Sequence, residues 1–172
     1  MFDTELRVNN RVEETIKKVG CMKWKEAMEN KETLQWYKDK NKPRWESCYD
    51  GSWEAKLLFK AKSESLEVNS RTYRWNNGGR WWCEKCSNEE NPRREDVKHI
   101  MLKCEWYNEE REEWERKISH EIGIEEWIER KQREDNGMKL IMGVEEYNSN
   151  IVKGTKEYLN KIWKKRERGG EV

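Results

Sequence analysis

The sequence predicts a mainly α fold, a small helical domain with one irregular element embedded in it. The 172 residues contain two prolines, Pro43 and Pro92, so long helices are permitted. Apolar residues recur at helical spacing on both sides of a central stretch. That stretch, Asn69 to Gly79, changes to Asn, Gly, Arg and aromatics, which reads as loop or short hairpin.

Taken in order, Leu6, Val8, Val12, Ile16 and Val19 lie near helical spacing and end at Gly20, which suits a C-terminal cap. A second helical segment runs through Trp24, Ala27 and Met28, and a third through Leu34, Trp36 and Tyr37. Lys40-Asn41-Lys42-Pro43 reads as a break. Ser52 is an N-cap for a helix carrying Trp53, Leu57, Leu58 and Ala61. Helical character resumes after Pro92 and continues through Trp114 and Ile118 toward Trp127 and Ile128. Asp135-Asn136-Gly137 is the next break, and a last helix from about Asn148 carries Ile151, Val152, Leu159, Ile162 and Trp163. Three segments result within one compact unit: 1–68 helical, 69–110 irregular, 111–172 helical.

Composition narrows the function. Leu, Ile, Val and Phe number only 27, a level at which disorder threatens when net charge is high. Here 36 basic and 35 acidic residues leave +1, so the charges can pair, and 11 Trp and 6 Tyr replace missing aliphatic area. No run approaches the roughly 18 apolar residues of a membrane span. No secretory signal is visible at Met-Phe-Asp-Thr-Glu-Leu-Arg, so an intracellular site, cytoplasmic or nuclear, is expected. In a reducing compartment, five cysteines favour a metal over disulfides.

Cys83, Cys86, His99 and Cys104 spell C-x2-C-x12-H-x4-C. Two thiolates on a tight turn and a His/Cys pair about one helical turn apart can close a tetrahedron on one ion. Soft thiolates with one imidazole favour zinc. With four protein ligands, one Zn2+ would be structural. A helix for the second pair is expected to start at Asn91 and Pro92, with Glu95 and Asp96 opposing its dipole. The centre would carry about one negative charge, and Lys85, Lys98 and Lys103 are nearby to offset it. The bland alternative is three buried thiols beside an incidental histidine. Cys21 and Cys48 are assigned to core packing, with a substitute ligand as the alternative, and His120 to a partly exposed surface.

Nucleic-acid binding is argued locally, since the net charge gives no global pull. Arg71 to Trp82 holds three arginines, four aromatics and no acid. Arg71, Arg74 and Arg80 can bind phosphate while Trp75 and Trp81 stack on unpaired bases. The same tryptophans, with Trp82, could instead be core. Lys38–Arg44 and Lys161–Arg166 are secondary patches, and the Glu109–Glu113 run reads as a solvated face with i,i+4 pairs.

The run Leu57-Leu58-Phe59-Lys60-Ala61-Lys62, then Leu66, Asn69 and Arg71, leads into the Cys83/Cys86 pair. It continues with Glu95-Asp96-Val97-Lys98-His99-Ile100-Met101-Leu102-Lys103-Cys104, Tyr107 and Arg111. This resembles the region C-terminal to the polymerase in non-LTR (LINE-type) retrotransposon reverse transcriptases, which carries a CCHC zinc knuckle. Leu34-Gln35-Trp36-Tyr37, Tyr49-Asp50, Gly143, Tyr158-Leu159 and Ile162 extend the likeness more loosely. The resemblance implies zinc binding and a grip on template RNA or target DNA. The sequence lacks the Asp-Asp pair of a polymerase, Asp50 being a single carboxylate, and neither proline is followed by Asp as a linked nuclease requires. An isolated, non-catalytic tail module binding RNA or single-stranded DNA is therefore expected, either a fragment or a retroelement-derived protein. The alternative is a protein-interaction or self-association module using the helices of Trp114, Trp127 and Trp163.

Overall fold

The computed structural model describes residues 2–38, 40, 46–76, 79–144 and 148–168, without the side chains of residues 2–11, 32 and 76. The chain divides into two units, Met1–Glu46 and Ser47–Val172. The segment limits read from the sequence, at residues 68 and 110, both fall inside the second unit.

The first unit holds helix α1 (Phe2–Glu29) and a 3-10 helix, Glu32–Tyr37. α1 does not stop at Gly20. Cys21, Trp24 and Met28, on one helical face beyond it, are half-buried, and α1 packs with the 3-10 helix. Such contacts outweigh the roughly 1 kcal/mol that a mid-helix glycine costs. Of the expected break, Asn41, Lys42 and Pro43 lie outside the described residues.

The second unit begins as its sequence suggests. The Ser52 hydroxyl accepts from the Ala55 N–H at 3.1 Å and caps α2 (Trp53–Lys62), which buries Ala55, Leu57, Leu58 and Ala61. The next stretch departs from expectation. Asn69–Asn76 is a helix, α3, where a loop or hairpin was expected. Its starting signal comes from distant residues: the Asn69 N–H donates to the Glu95 carboxylate at 2.9 Å and the Ser70 N–H to the Glu95 carbonyl at 3.1 Å. The hairpin-like pairing lies downstream, where Trp82 bridges Arg94 antiparallel. The Cys83 N–H donates to the Arg93 carbonyl at 2.9 Å and the Glu95 N–H to the Trp81 carbonyl at 3.0 Å.

Four further helices follow: α4 (Asn108–Ile122), α5 (Ile124–Gln132), α6 (Glu134–Ile141) and α7 (Ser149–Arg168). The long helix expected toward Ile128 is broken at Gly123, whose φ of 91° a side chain would strain. The Asp135-Asn136-Gly137 break is instead inside α6. A Cβ at Gly137 would lie 3.3 Å from the Arg130 carbonyl oxygen, so glycine permits α6 to approach the end of α5 closely. The buried Met138, Leu140 and Ile141 then stabilise α6 against its poor local propensity. At α7 the expected start holds, with the Asn148 side chain accepting from the Asn150 and Ile151 N–H groups at 2.9 and 3.2 Å.

α7 packs against α2, α4 and α6. Its Tyr158 ring stacks on Trp114 of α4 at 4.4 Å, and Trp114 meets Trp127 of α5 edge-on at 6.0 Å. Trp114, Trp127 and Trp163 are all buried, so these indoles are core and offer no partner surface. The Glu109–Glu113 run is also more than a solvated face. Glu110 pairs with Lys165 at 2.9 Å and Glu113 with Lys161 at 2.6 Å, tying α4 to α7.

The Glu95 side chain is 2% exposed and pairs with Arg166 of α7 at 2.6 Å. Removing one member of a buried charge pair strands the other. Glu95→Ala should lower unfolding free energy by about 3–5 kcal/mol in urea titration. Lys161→Ala, which breaks an exposed pair, should cost under about 1 kcal/mol; similar losses for both would refute the pinning role of Glu95.

Candidate metal centre

Cys83 closes the short antiparallel pairing and is buried, while Cys86 lies three residues on, across a turn, and is half-buried. The Ser87 N–H and hydroxyl both donate to the Cys83 carbonyl, at 3.1 and 2.5 Å, and fold the turn back on itself. The second ligand pair follows Asp96, whose carboxylate accepts from the His99 N–H at 2.9 Å. This corrects the expected helix start at Asn91 and Pro92. Residues 93–95 are needed for the antiparallel pairing, and Glu95 serves the N-terminus of α3 rather than that of its own helix.

His99–Lys103 forms a π-helical turn, closed by donation of the Cys104 N–H to the His99 carbonyl at 2.8 Å. Five residues along an α-helix rotate a side chain by roughly 140° beyond one full turn, which separates two ligands. The wider i→i+5 turn returns Cys104 toward His99. Its carbonyls find partners elsewhere: the Tyr158 hydroxyl lies 3.2 Å from that of Met101, and Arg111 Nη2 donates to that of Cys104 at 2.6 Å.

The ligand atoms of Cys83, Cys86, His99 and Cys104 lie within 4.8 Å of one another and could hold a metal ion. Cys83 Sγ is 3.6 Å from Cys104 Sγ, and Cys86 Sγ is 3.2 Å from His99 Nε2. A tetrahedral ion with metal–sulfur bonds near 2.3 Å requires sulfur–sulfur edges of about 3.8 Å, so the first spacing fits. Among the described residues neither Cys21 nor Cys48 joins the cluster; Cys48 is buried and Cys21 half-buried.

Electrostatics already favour an anion here. Hydrogen bonding from Cys104 holds the Cys83 thiol down to about 3 against the opposing effect of burial, while Cys104 is pushed up by the same contact. Burial raises Cys86. Backbone N–H groups of Lys85, Glu105 and Trp106 oppose protonation at Cys83, Cys86 and Cys104 respectively. A metal ion would displace the remaining thiol protons.

The lysines expected to balance the charge have other partners. Lys98 pairs with Asp135, Lys103 with Glu134 at 2.5 Å, and Lys85 sits 4.7 Å over the Trp106 ring. Two arginines lie beside the cluster: Arg93, which interacts with Cys86 and pairs with Glu105 at 2.7 Å, and Arg111, 6% exposed, a residue that looks from sequence like one more charge on an acidic helix.

The expected nucleic-acid residues separate into two groups. Arg71, Arg74 and Trp75 lie on α3; Trp75 is 70% exposed and Tyr73, another aromatic of the same stretch, 46%. Neither Arg71 nor Arg74 has an acidic partner among the described residues. Arg80 pairs with Glu84 at 2.7 Å, and the half-buried Trp81 packs edge-on against Trp82 at 5.7 Å. Asn77 and Gly78 lie outside the described residues. Three cations of the patch on α7, Lys161, Lys165 and Arg166, pair with Glu113, Glu110 and Glu95, while Lys164 is exposed and has no acidic partner among the described residues; of Lys38–Arg44 only Lys38 and Lys40 are described, Lys40 pairing with Glu46. His120 is exposed. No helix among the described residues is long and apolar enough to cross a membrane.

No family model, curated protein or solved structure matches the chain. The site's function therefore has to be argued from its geometry. Cobalt(II) titration should saturate at one equivalent per chain with thiolate-to-cobalt charge-transfer absorption, and Cys83→Ser should abolish tight binding. Because the ligands must shed protons, loading should weaken as pH falls. PH-independent loading, or unaltered binding by the serine variant, would rule out the four-ligand centre.

Proposed function

We propose that the chain is a zinc-stabilised, non-catalytic module that binds single-stranded RNA or DNA on α3. The observation that carries this reading is α3 itself, which exposes Trp75 and Tyr73 and carries Arg71 and Arg74, neither with an acidic partner among the described residues. Elsewhere on this nearly neutral chain many cations are held in ion pairs, Lys161, Lys165 and Arg166 among them. An unpaired arginine can release counterions from phosphate without first breaking a salt bridge. Aromatic faces stack on unpaired bases at about 1–3 kcal/mol each and tolerate any sequence.

Zinc is the ion the donor set favours, because three soft thiolates and one imidazole suit tetrahedral Zn2+. With four protein ligands the ion is structural. It supplies rigidity to the short antiparallel pairing, whose Glu95 holds the first turn of α3. The run from Leu57 to Arg111 supports placing this module with the tails of LINE-type reverse transcriptases, where a CCHC knuckle adjoins the polymerase.

Metal analysis of protein purified without added metal should return one zinc per chain. Fluorescence-anisotropy titration with single-stranded oligonucleotides should show affinity falling steeply between about 50 and 200 mM salt. Trp75→Ala should weaken binding by about 1–3 kcal/mol, and Arg71→Ala with Arg74→Ala should flatten the salt slope by about 1.4. Arg80→Ala should do less, since Arg80 is already paired. Salt-insensitive binding, or loss equal for Arg80 and Arg74, would remove the α3 reading.

A further inference from the structure

A buried guanidinium with no carboxylate partner is an expensive thing to keep. Arg111 is 6% exposed; it donates through Nη2 to the Cys104 carbonyl at 2.6 Å and to the neutral Asn108 side chain, and its buried Nη1 has no hydrogen-bond partner among the described residues. Arg111 forms no ion pair with an acid among the described residues, although Glu109, Glu110, Glu112 and Glu113 flank it in sequence. Something else nearby must compensate the charge. A divalent ion with three thiolates and a neutral imidazole carries a net charge of about −1, and Cys104 is one of those thiolates. The cation is therefore attached through one carbonyl to the backbone of a ligand.

We propose that Arg111 is a counter-charge of the metal centre, a positioning residue that fixes the Cys104 end of the π-helical turn. This rests on the metal reading above. It also accounts for Asn rather than Asp at position 108. A carboxylate there would suit the start of α4 through the helix dipole, yet would neutralise the guanidinium that the centre requires.

The experiment uses the full chain and zinc itself, with affinity measured by chelator competition and geometry by the cobalt spectrum. Arg111→Gln should bind zinc about 10–100-fold more weakly, in the range expected for loss of an outer-shell partner. Arg111→Lys, which keeps the charge, should stay within about threefold of wild type by the same reasoning. Asn108→Asp is the decisive variant, because it preserves the hydrogen bond and the fold. A merely structural Arg111 predicts unchanged or stronger zinc binding in Asn108→Asp, whereas a counter-charge predicts a loss of about tenfold with an unaltered cobalt spectrum. Zinc binding at wild-type strength in Asn108→Asp overturns this inference and leaves the metal centre standing. A wild-type chain that takes up no zinc overturns both.

Discussion

The Glu95 carboxylate is the constraint on which the second unit depends. It is buried, accepts the first N–H of α3, and receives the Arg166 guanidinium from α7. Asn69 completes the junction, its side chain donating to the Trp82 carbonyl at 2.8 Å. Through one carboxylate the exposed helix, the cysteine-bearing hairpin and the central packing helix become mutually fixed. The ion pair alone contributes little net stability once desolvation is counted. Its value lies in geometry, because a carboxylate with these donors has one low-energy position and all three elements must meet there.

The metal cluster solves a second geometric problem with unusual backbone. A His and a Cys five residues apart diverge on an ordinary α-helix, and the π-helical turn brings them to one side. Such a turn leaves carbonyls poorly served, and here the Tyr158 hydroxyl and Arg111 guanidinium supply donors. Tyr158 is also the ring stacked on Trp114. The aromatic core and the metal site consequently share Tyr158, whose ring packs in one and whose hydroxyl serves the other. Tyrosine buries area and still offers a donor where a leucine would strand a carbonyl.

The mainly helical class, the Ser52 cap, the start of α7 and the four clustered ligands were all legible in the sequence, since each is encoded within a few residues. The features that were not legible depend on partners far along the chain. α3 is capped from Glu95, 26 positions away, so its Asn- and Arg-rich sequence reads locally as loop. α6 is held by burial and by a close approach at Gly137, against a sequence that reads as a turn. Gly20 reads locally as a cap, and the half-burial that accompanies α1 past it begins only at Cys21, Trp24 and Met28, residues 12–20 being exposed. Arg111 was legible as a letter but not as a role, because its burial depends on how α4 lies against the π-helical turn.

The near-zero net charge now has a structural meaning. α4 is acidic and α7 basic, and their facing side chains pair: Glu110 with Lys165, Glu113 with Lys161, and Lys117 with Glu157 at 3.0 Å. Each exposed pair is worth under about 1 kcal/mol, yet together they set which faces of two amphipathic helices meet. They also neutralise the acidic run that would otherwise repel a polyanion. Pairing of this kind occupies Lys161, Lys165 and Arg166 of α7, whereas Arg71 and Arg74 have no acidic partner among the described residues and share α3 with exposed aromatics. A chain can be balanced overall and still hold a local field, provided that the balancing is done on one side of the molecule by contacts the fold requires. The α4–α7 pairs are such contacts, because they join the two helices whose buried faces hold Trp114 and Tyr158.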